Sequence, residues 1–491
     1  MNGQTTIFDM MYPKYKINKP IRLIEFFAGY GSQALALKYL GVEFEHWKIC
    51  EWAVKSIQAY KDIHFTDDNT DYSKDYYLED LKMFLYVKGI SSNYNEPMAK
   101  QQIERLSEEQ VRKIYNNIRT THNLVNIQET SGELLEITDT DKYDYILTYS
   151  FPCQDLSLAG KGKGMSDTST RSGMLWEVER ILSECKELGT LPQILLMENV
   201  PQVHGVDNIE DFNKWQLRLE QLGYKNYMQD LIATDYGIPQ TRNRCFMVSI
   251  LGDYNYKFPK PIPLKLKLKD MLEDNVDEKY YLSDKMINCF LSESEGSKFP
   301  RKERFMQTFN TTNEKGIAAT ITTAAGTRAT DNFIKEESLK KELCNQLIQD
   351  GLVEEGDVVK HSYTQQILDG NKKCVEKNDG NMITLTTRGD CVGVCVGTYQ
   401  YAKSDTFMHG KDRLQLGKDV SDTLQTTQKE GIVNSDLRIR KLTPKECFRL
   451  MGVKDEDYEK CAKNQSDSSL YHLAGDSIVV NVLMAIFKNL I

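Results

Sequence analysis

The sequence predicts an α/β protein: a Rossmann-like domain of strands and helices, carrying a helical insertion and joined to a smaller, mainly β domain. Three observations predict it. An apolar strand, Ile21–Phe26, runs into Gly29-x-Gly31 and then a helical stretch from Gln33 to Leu40. Two later apolar runs, Tyr145–Tyr149 and Ile194–Met197, each lead into residues able to do chemistry, the pattern expected at the carboxyl edge of an open α/β sheet. Further on, Thr-rich runs alternate with glycines, as in strand-and-turn units.

The first element sets the ligand class. Glycines after a strand permit a tight turn and a close approach of ligand to backbone. Gly-x-Gly alone is weak, because the dinucleotide fingerprint needs another glycine three residues on and Ala34 stands there. The next strand, Phe44–Ile49, leads to Glu51, about 20 residues after the turn, where a carboxylate can bind both hydroxyls of a ribose. The expected ligand carries a nucleoside, and a dinucleotide is one option.

The second element ends in Phe151-Pro152-Cys153-Gln154. Pro152 stops the strand, since it lacks an N–H and fixes φ. A lone cysteine there is usually core packing, a Glu-Asn pair usually a cap, and Arg-x-Arg usually solvated surface. Order and spacing change that reading. Glu198-Asn199-Val200 follows Cys153 by 45 residues, and a third run ends in Gln240-x-Arg242-x-Arg244. Thiol, carboxyl and paired guanidinium then meet at one edge.

Length calls for more than one core, since 491 residues exceed the usual size of a single domain. No apolar run approaches the ~18–20 residues of a membrane helix, and the first eleven residues lack a signal-peptide pattern, so a cytoplasmic, non-membrane protein is expected. The eleven cysteines form no paired Cys-x-x-Cys, which points to reduced thiols and no metal. A net charge of −9 speaks against a polyanionic partner. Residues 66–141 remove most of that objection: their 15 Asp/Glu against 8 Lys/Arg carry −7 of it.

Taken in order, these motifs resemble the DNA cytosine-5 methyltransferases. Phe27-Ala28-Gly29-Tyr30-Gly31 is similar to that family's cofactor loop, Glu51-Trp52 to its ribose pair, Phe151–Gln154 to its nucleophile motif and Glu198–Val200 to its acid motif. Gln240-x-Arg242-x-Arg244 resembles the arginine motif, Arg440–Gly452 a packing motif and Gly475–Val482 the last motif, which returns to the cofactor. The resemblance covers roughly residues 20–285 and 437–491. It implies a class I methyltransferase domain that binds S-adenosylmethionine through Phe27, Ala28, Gly29, Gly31, Glu51, Trp52, Pro152, Ser477, Asn481 and Val482. Three departures stand out. Ser32 and Asp476 replace the usual glycine and asparagine, and the aspartate that contacts adenine is displaced by the insertion. Asn126 is the candidate in its place, with Asp67 and Asp68 as rivals.

The expected organisation is a catalytic domain at 1–284 with the insertion 66–141, a target-recognition domain at 285–436, and a segment 437–491 that returns to the catalytic domain. In the insertion, residues 77–85 read as a helix, and Ser107 as the cap of another beginning at Glu108. The smaller domain repeats Thr320–Thr323, Thr384–Thr387 and Thr423–Thr426, each followed by a turn with a basic residue: Arg328, Arg388 and Lys429. Position in the family places these turns against double-stranded DNA. So does the Gly-rich, basic stretch after Cys153, with Gln154, Ser157, Lys161, Lys163 and Arg171. Gln240 joins this DNA-facing set.

The implied reaction is sequence-specific methylation of cytosine C5. Cys153 attacks C6, Glu198 holds or protonates N3, Asn199 orients the loop or base, and Arg242 or Arg244 supplies positive charge. A base inside a duplex is out of reach and must be flipped out. The alternatives are a transfer-RNA cytosine-5 methyltransferase and a DNA-binding relative without catalysis. A monomer with a cognate restriction endonuclease fits the first reading.

Overall fold

The computed structural model describes residues 13–151, 172–283, 286, 316–337, 358–360, 375–376, 392–394 and 437–491. They form two compact units, one of residues 1–280, 284–333 and 441–491, the other of 281–283 and 334–440.

The first unit is built on six strands: β1 (Ile21–Phe26), β2 (Phe44–Cys50), β3 (Asp144–Tyr149), β4 (Ile194–Asn199), β5 (Tyr224–Ile232) and β6 (Asn243–Leu251). Their order in the sheet is β2-β1-β3-β4-β6-β5. β1 pairs in parallel with β2 and β3, and β3 with β4, whereas β6 runs antiparallel to β4 and β5. The chain winds outward from β1 in one direction to β2 and in the other to β3 and β4. The switch point between β1 and β3 is where such sheets bind ligands. β3 and β4 are buried throughout, as expected for strands covered on both faces.

Helices cover the sheet. α1 (Ser32–Tyr39) and α2 (Val54–His64) flank β2. In the insertion lie α3 (Leu78–Lys88), α4 (Lys100–Glu104) and α5 (Glu108–Thr120). The Ser107 cap forms as expected: its hydroxyl accepts Gln110 N–H (3.2 Å) while the Gln110 side chain accepts Ser107 N–H (2.9 Å). α6 (Leu175–Leu188) and α7 (Ile209–Leu222) pack on β3 and β4 around Trp215, which is fully buried. The C-terminal helices are α8 (Pro444–Leu450), α9 (Asp455–Ala462), α10 (Asp467–Asp476) and α11 (Val480–Leu490).

α11 buries Leu483, Ile486, Phe487 and Leu490 completely, each contributing about 1.5–3 kcal/mol of transfer free energy. The most apolar 18-residue window within Asp467–Leu490 has the mean hydropathy of a membrane span, 1.6, contrary to the sequence expectation, but 72% of that window is buried in this protein. It is also broken between α10 and α11 at Ser477.

Two expectations shift. Residues 316–333, assigned by sequence to the smaller domain, belong to the first unit. Thr320–Thr323 is no strand there; Ile321 N–H donates to Gln240 Oε1 (3.0 Å) instead of to a ladder. Gly326 does turn the chain, at φ 82°. The second unit contains a short antiparallel sheet of β8 (Val358–Lys360), β9 (Val375–Glu376) and β10 (Val392–Val394), with β7 (Phe333–Glu337) beside β11 (Leu437–Lys441). The second and third Thr-rich repeats lie outside the described residues.

Candidate active site

The carboxyl ends of β1 to β4 and the start of β6 surround a cavity of about 540 Å³, within the usual size of a small-molecule site. β6 runs antiparallel, so the residues that open it lie at the same edge where the parallel strands close. This corrects the sequence reading, in which Arg242 and Arg244 ended a strand: they precede and begin one.

The nucleoside end is built on the turn after β1. Phe27 lies at φ 57°, a left-handed conformation that costs a non-glycine residue about 1–2 kcal/mol, and its N–H donates to Cys50 O (2.8 Å). Gly31 needs to be glycine twice over. Its φ is 82°, and a Cβ there would lie 2.4 Å from His64 Nε2 and 2.7 Å from the Tyr60 ring. Glu51 spans the turn: Oε2 accepts Gly29 N–H (2.9 Å) and Oε1 accepts Ala53 N–H (2.8 Å). Burial pushes the Glu51 carboxyl up to about 7, against the pull of those N–H donors and with help from Asp476.

Asn123, which sequence reasoning missed, holds this end in register. Its Oδ1 accepts Glu51 N–H (3.1 Å) and Val125 N–H (2.8 Å), and its Nδ2 donates to Glu51 O (2.9 Å). The tie forces Val125 to φ 71°, an outlier for a β-branched residue, and Val125 lines the cavity beside Phe27. Nothing in the local sequence announces a valine in that conformation.

The chemical end is built on β3, β4 and β6. Glu198 is only 7% exposed. Burial holds its carboxyl above the usual range, while the Arg244 and Arg242 guanidiniums pull it back down. Arg244 Nε lies 3.2 Å from Glu198 Oε1. Asn199 donates from Nδ2 to Phe151 O (3.0 Å) and accepts Val200 N–H at Oδ1 (2.8 Å). The carboxyl motif thus grips the backbone of the segment that leads to the cysteine. Phe151 lines the cavity, two residues before Cys153. Pro152, Cys153, Gln154, Ser157, Lys161, Lys163 and Arg171 lie outside the described residues, as do Arg388 and Lys429.

Several predicted site residues turn out to be architectural. Arg242 is 4% exposed. Its guanidinium donates to Ile321 O (3.2 Å), Gly475 O (3.0 Å) and Ser477 O (2.7 Å), stitching three distant segments together at the cavity wall. Gln240, expected at DNA, is fully buried; its Nε2 donates to Leu450 O (2.7 Å) and its Oε1 accepts Ile321 N–H. Asn481 donates to Tyr236 O (3.3 Å) and Val482 is buried in α11; neither lines the cavity. Ser477 does line it, and its hydroxyl accepts from Tyr30 (2.8 Å).

Phe27, Ala28, Gly29, Glu51, Trp52 and Asn126 are brought together at the cavity. Asn126 already accepts Gln128 N–H at Oδ1 (3.0 Å), capping a short turn. The rivals Asp67 and Asp68 do not line it. Ser32 has a structural use, its hydroxyl accepting Ile478 N–H (3.4 Å). Arg328 is exposed after the Gly326 turn. Tyr94, from the insertion, and His472, from α10, also line the cavity and were missed.

The sequence profile of the C-5 cytosine-specific DNA methylases matches residues 78–491, most of the chain. The chain belongs to that family. This methylase is 29% identical over 474 residues to the type II methyltransferase M2.ScrFI of Lactococcus lactis, covering 96% of this chain and 99% of the relative. It is 38% identical over 272 residues to the orphan methyltransferase M.SssI of Spiroplasma monobiae, covering 54% and 68%. The fold is similar to that of the Entamoeba histolytica methyltransferase EhMeth, at a TM-score of 0.51 and 13% identity, covering 96% of this chain and 98% of that one.

The methylase is therefore a DNA cytosine-5 methyltransferase that uses S-adenosylmethionine. The lining is of a kind that suits that cofactor: the aromatic rings of Phe27 and Trp52, and in Glu51 a carboxylate of the sort that binds ribose hydroxyls. Bound there, S-adenosylmethionine supplies an electrophilic methyl group.

Proposed function

We propose that this methylase modifies cytosine within a short sequence of double-stranded DNA, with Cys153 as nucleophile and Glu198 as the acid that activates the ring. The observation that carries this reading is the Glu198–Arg244 pair, enclosed with the Glu51–Gly29 turn in one cavity at the end of the strand that leads to Cys153.

The Cys153 thiolate adds to C6 of a flipped cytosine, forming the S–C6 bond as electron density moves through C5 toward N3. Glu198, whose proton affinity burial raises against the pull of Arg244 and Arg242, donates a proton at N3. C5 is then an enamine carbon and takes the methyl group. Loss of the C5 proton to a base, expulsion of Cys153 as thiolate and return of the N3 proton to Glu198 restore the ring. Arg244 holds the Glu198 carboxyl in place and stabilises the carboxylate left after proton transfer. Asn199 fixes the carbonyl of Phe151, two residues before Cys153 in the chain. Arg242 acts at one remove, by tying the cavity wall together.

Residues 154–173 are read as a closing loop against DNA, and the segment 285–436, with Arg328, Arg388 and Lys429, as the part that chooses the sequence. A monomer in a bacterial or phage-infected cytoplasm, paired with a restriction endonuclease, suits the type II relative, whereas the orphan relative suits a methylase acting alone.

Base-resolution bisulfite sequencing of DNA from cells expressing the chain tests this. The expected result is protected cytosines within one short motif, and none with Cys153→Ala, which still binds S-adenosylmethionine. Protection that persists in the variant removes Cys153 from the chemistry. Exchanging 285–436 for a relative's segment is expected to change the protected motif; an unchanged motif removes that segment from recognition.

A further inference from the structure

The acidic insertion had no assigned role, yet its packing is not that of a surface appendage. Its core residues Leu81, Leu85, Ile90 and Val111 form one cluster with Ile57 of α2 and with Val125, and Trp52 packs against the same cluster. The segment after α3 is laced to the ribose end of the cavity: Ser91 N–H donates to Trp52 O (2.8 Å) and Val54 N–H to Ser91 O (2.9 Å). The tip is tied internally, with Asn93 Oδ1 accepting both Asn95 N–H (2.9 Å) and Glu96 N–H (3.2 Å). Within that tip Tyr94 adopts φ 63°, left-handed, at a cost of about 1–2 kcal/mol that glycine would avoid.

The strain places a ring. Tyr94 stacks on His472 of α10 with centroids 3.8 Å apart and planes 12° from parallel. His472 Nδ1 in turn lies 3.1 Å from Asp476 Oδ2, the residue that replaces the family's usual asparagine. Tyr94, His472 and Asp476 all line the cavity that holds Glu51 and Gly29. Residues in such costly conformations cluster at ligand sites, where the surrounding structure holds them in place.

We propose that the insertion supplies a wall of the S-adenosylmethionine site, with Tyr94 as its contact residue and His472 as the positioning residue that backs the Tyr94 ring and lies against Asp476. This rests on the cofactor reading of the cavity. It gives the insertion a task in cofactor retention and requires no contact with DNA, in keeping with its negative charge.

Calorimetric titration of the full chain with S-adenosylmethionine tests it, the wild-type affinity serving as the check on the cofactor site itself. Tyr94→Gly removes the ring while suiting the left-handed backbone, so the fold survives. The expected result is binding about tenfold weaker, the size of a lost aromatic contact, with Tyr94→Phe near wild type. His472→Ala is expected to weaken binding, and adding Asp476→Asn to restore part of it by removing the uncovered charge. Wild-type affinity in a folded Tyr94→Gly variant overturns the proposal. So does equal weakening by Tyr94→Phe and Tyr94→Gly, since the ring would then not be the contact. Failure of the wild type to bind S-adenosylmethionine would instead overturn the cofactor reading.

Discussion

At the scale of the residue, the Glu198–Arg244 pair sets two opposing demands. In the proposed reaction Glu198 gives a proton to the ring, and burial raises its proton affinity; Arg244, 3.2 Å away, favours the carboxylate. Removing the guanidinium therefore raises the Glu198 pKa further. Arg244→Ala is expected to lower kcat and to move the alkaline limb of its pH profile upward, because Glu198 then stays protonated to higher pH. A limb left in place would mean that another group titrates there. The residues proposed for the chemistry stood out in the sequence, as a thiol, a carboxyl and paired guanidiniums in order along the chain. The residues that position them did not. Asn123 and Tyr94 act through backbone carbonyls, N–H groups and ring faces, which any sequence can offer and none displays.

At the scale of the element, β6 explains why a correct motif was partly misread. Because β6 is antiparallel, the motif preceding it faces both the cavity and the seam between β6, residues 316–333 and the C-terminal helices. The motif divides that labour: Gln240 serves the seam, Arg244 the cavity, and Arg242 bonds across the seam while lining the cavity. Gln240→Ala would leave Leu450 O and Ile321 N–H without their partner, each costing about 1–3 kcal/mol. Lower stability in urea with unchanged DNA affinity of the folded protein is expected. Full stability with weakened DNA binding would return Gln240 to the interface. The strands, the insertion helices and the Ser107 cap were legible from periodicity and capping chemistry. The path of 316–333 was not, because it is held by the backbone beside Gln240 and by the Gln240 and Arg242 side chains, all distant in the chain.

At the scale of the molecule, two fully buried carboxyls shape stability. Glu25 accepts Tyr60 O–H (2.5 Å) and Ala34 N–H (3.3 Å) beneath the cofactor turn, and burial pushes it up to about 7, as it does Glu51. The folded chain then holds protons that the unfolded chain has released. The stability they contribute is complete below the usual carboxylate value of 4.5 and is lost as pH rises through about 7. Melting at about pH 5.5 and about pH 8 is expected to show a smaller loss for Glu25→Gln than for the wild type. Equal losses would show that Glu25 ionises in the folded state without penalty.

Tyr30 and Ser477, joined by a hydrogen bond at the cavity, are 447 residues apart in the chain. At about 5–20 residues per second, a ribosome takes roughly 20–90 s to travel between them. For that interval the cofactor turn exists without its far wall, and the apolar side of α1 that α11 will cover is bare. The nascent enzyme thus spends most of its synthesis unable to enclose its cofactor, and with a sticky flank in need of shelter. Catalytic competence arrives late and all at once, when the C-terminal helices dock.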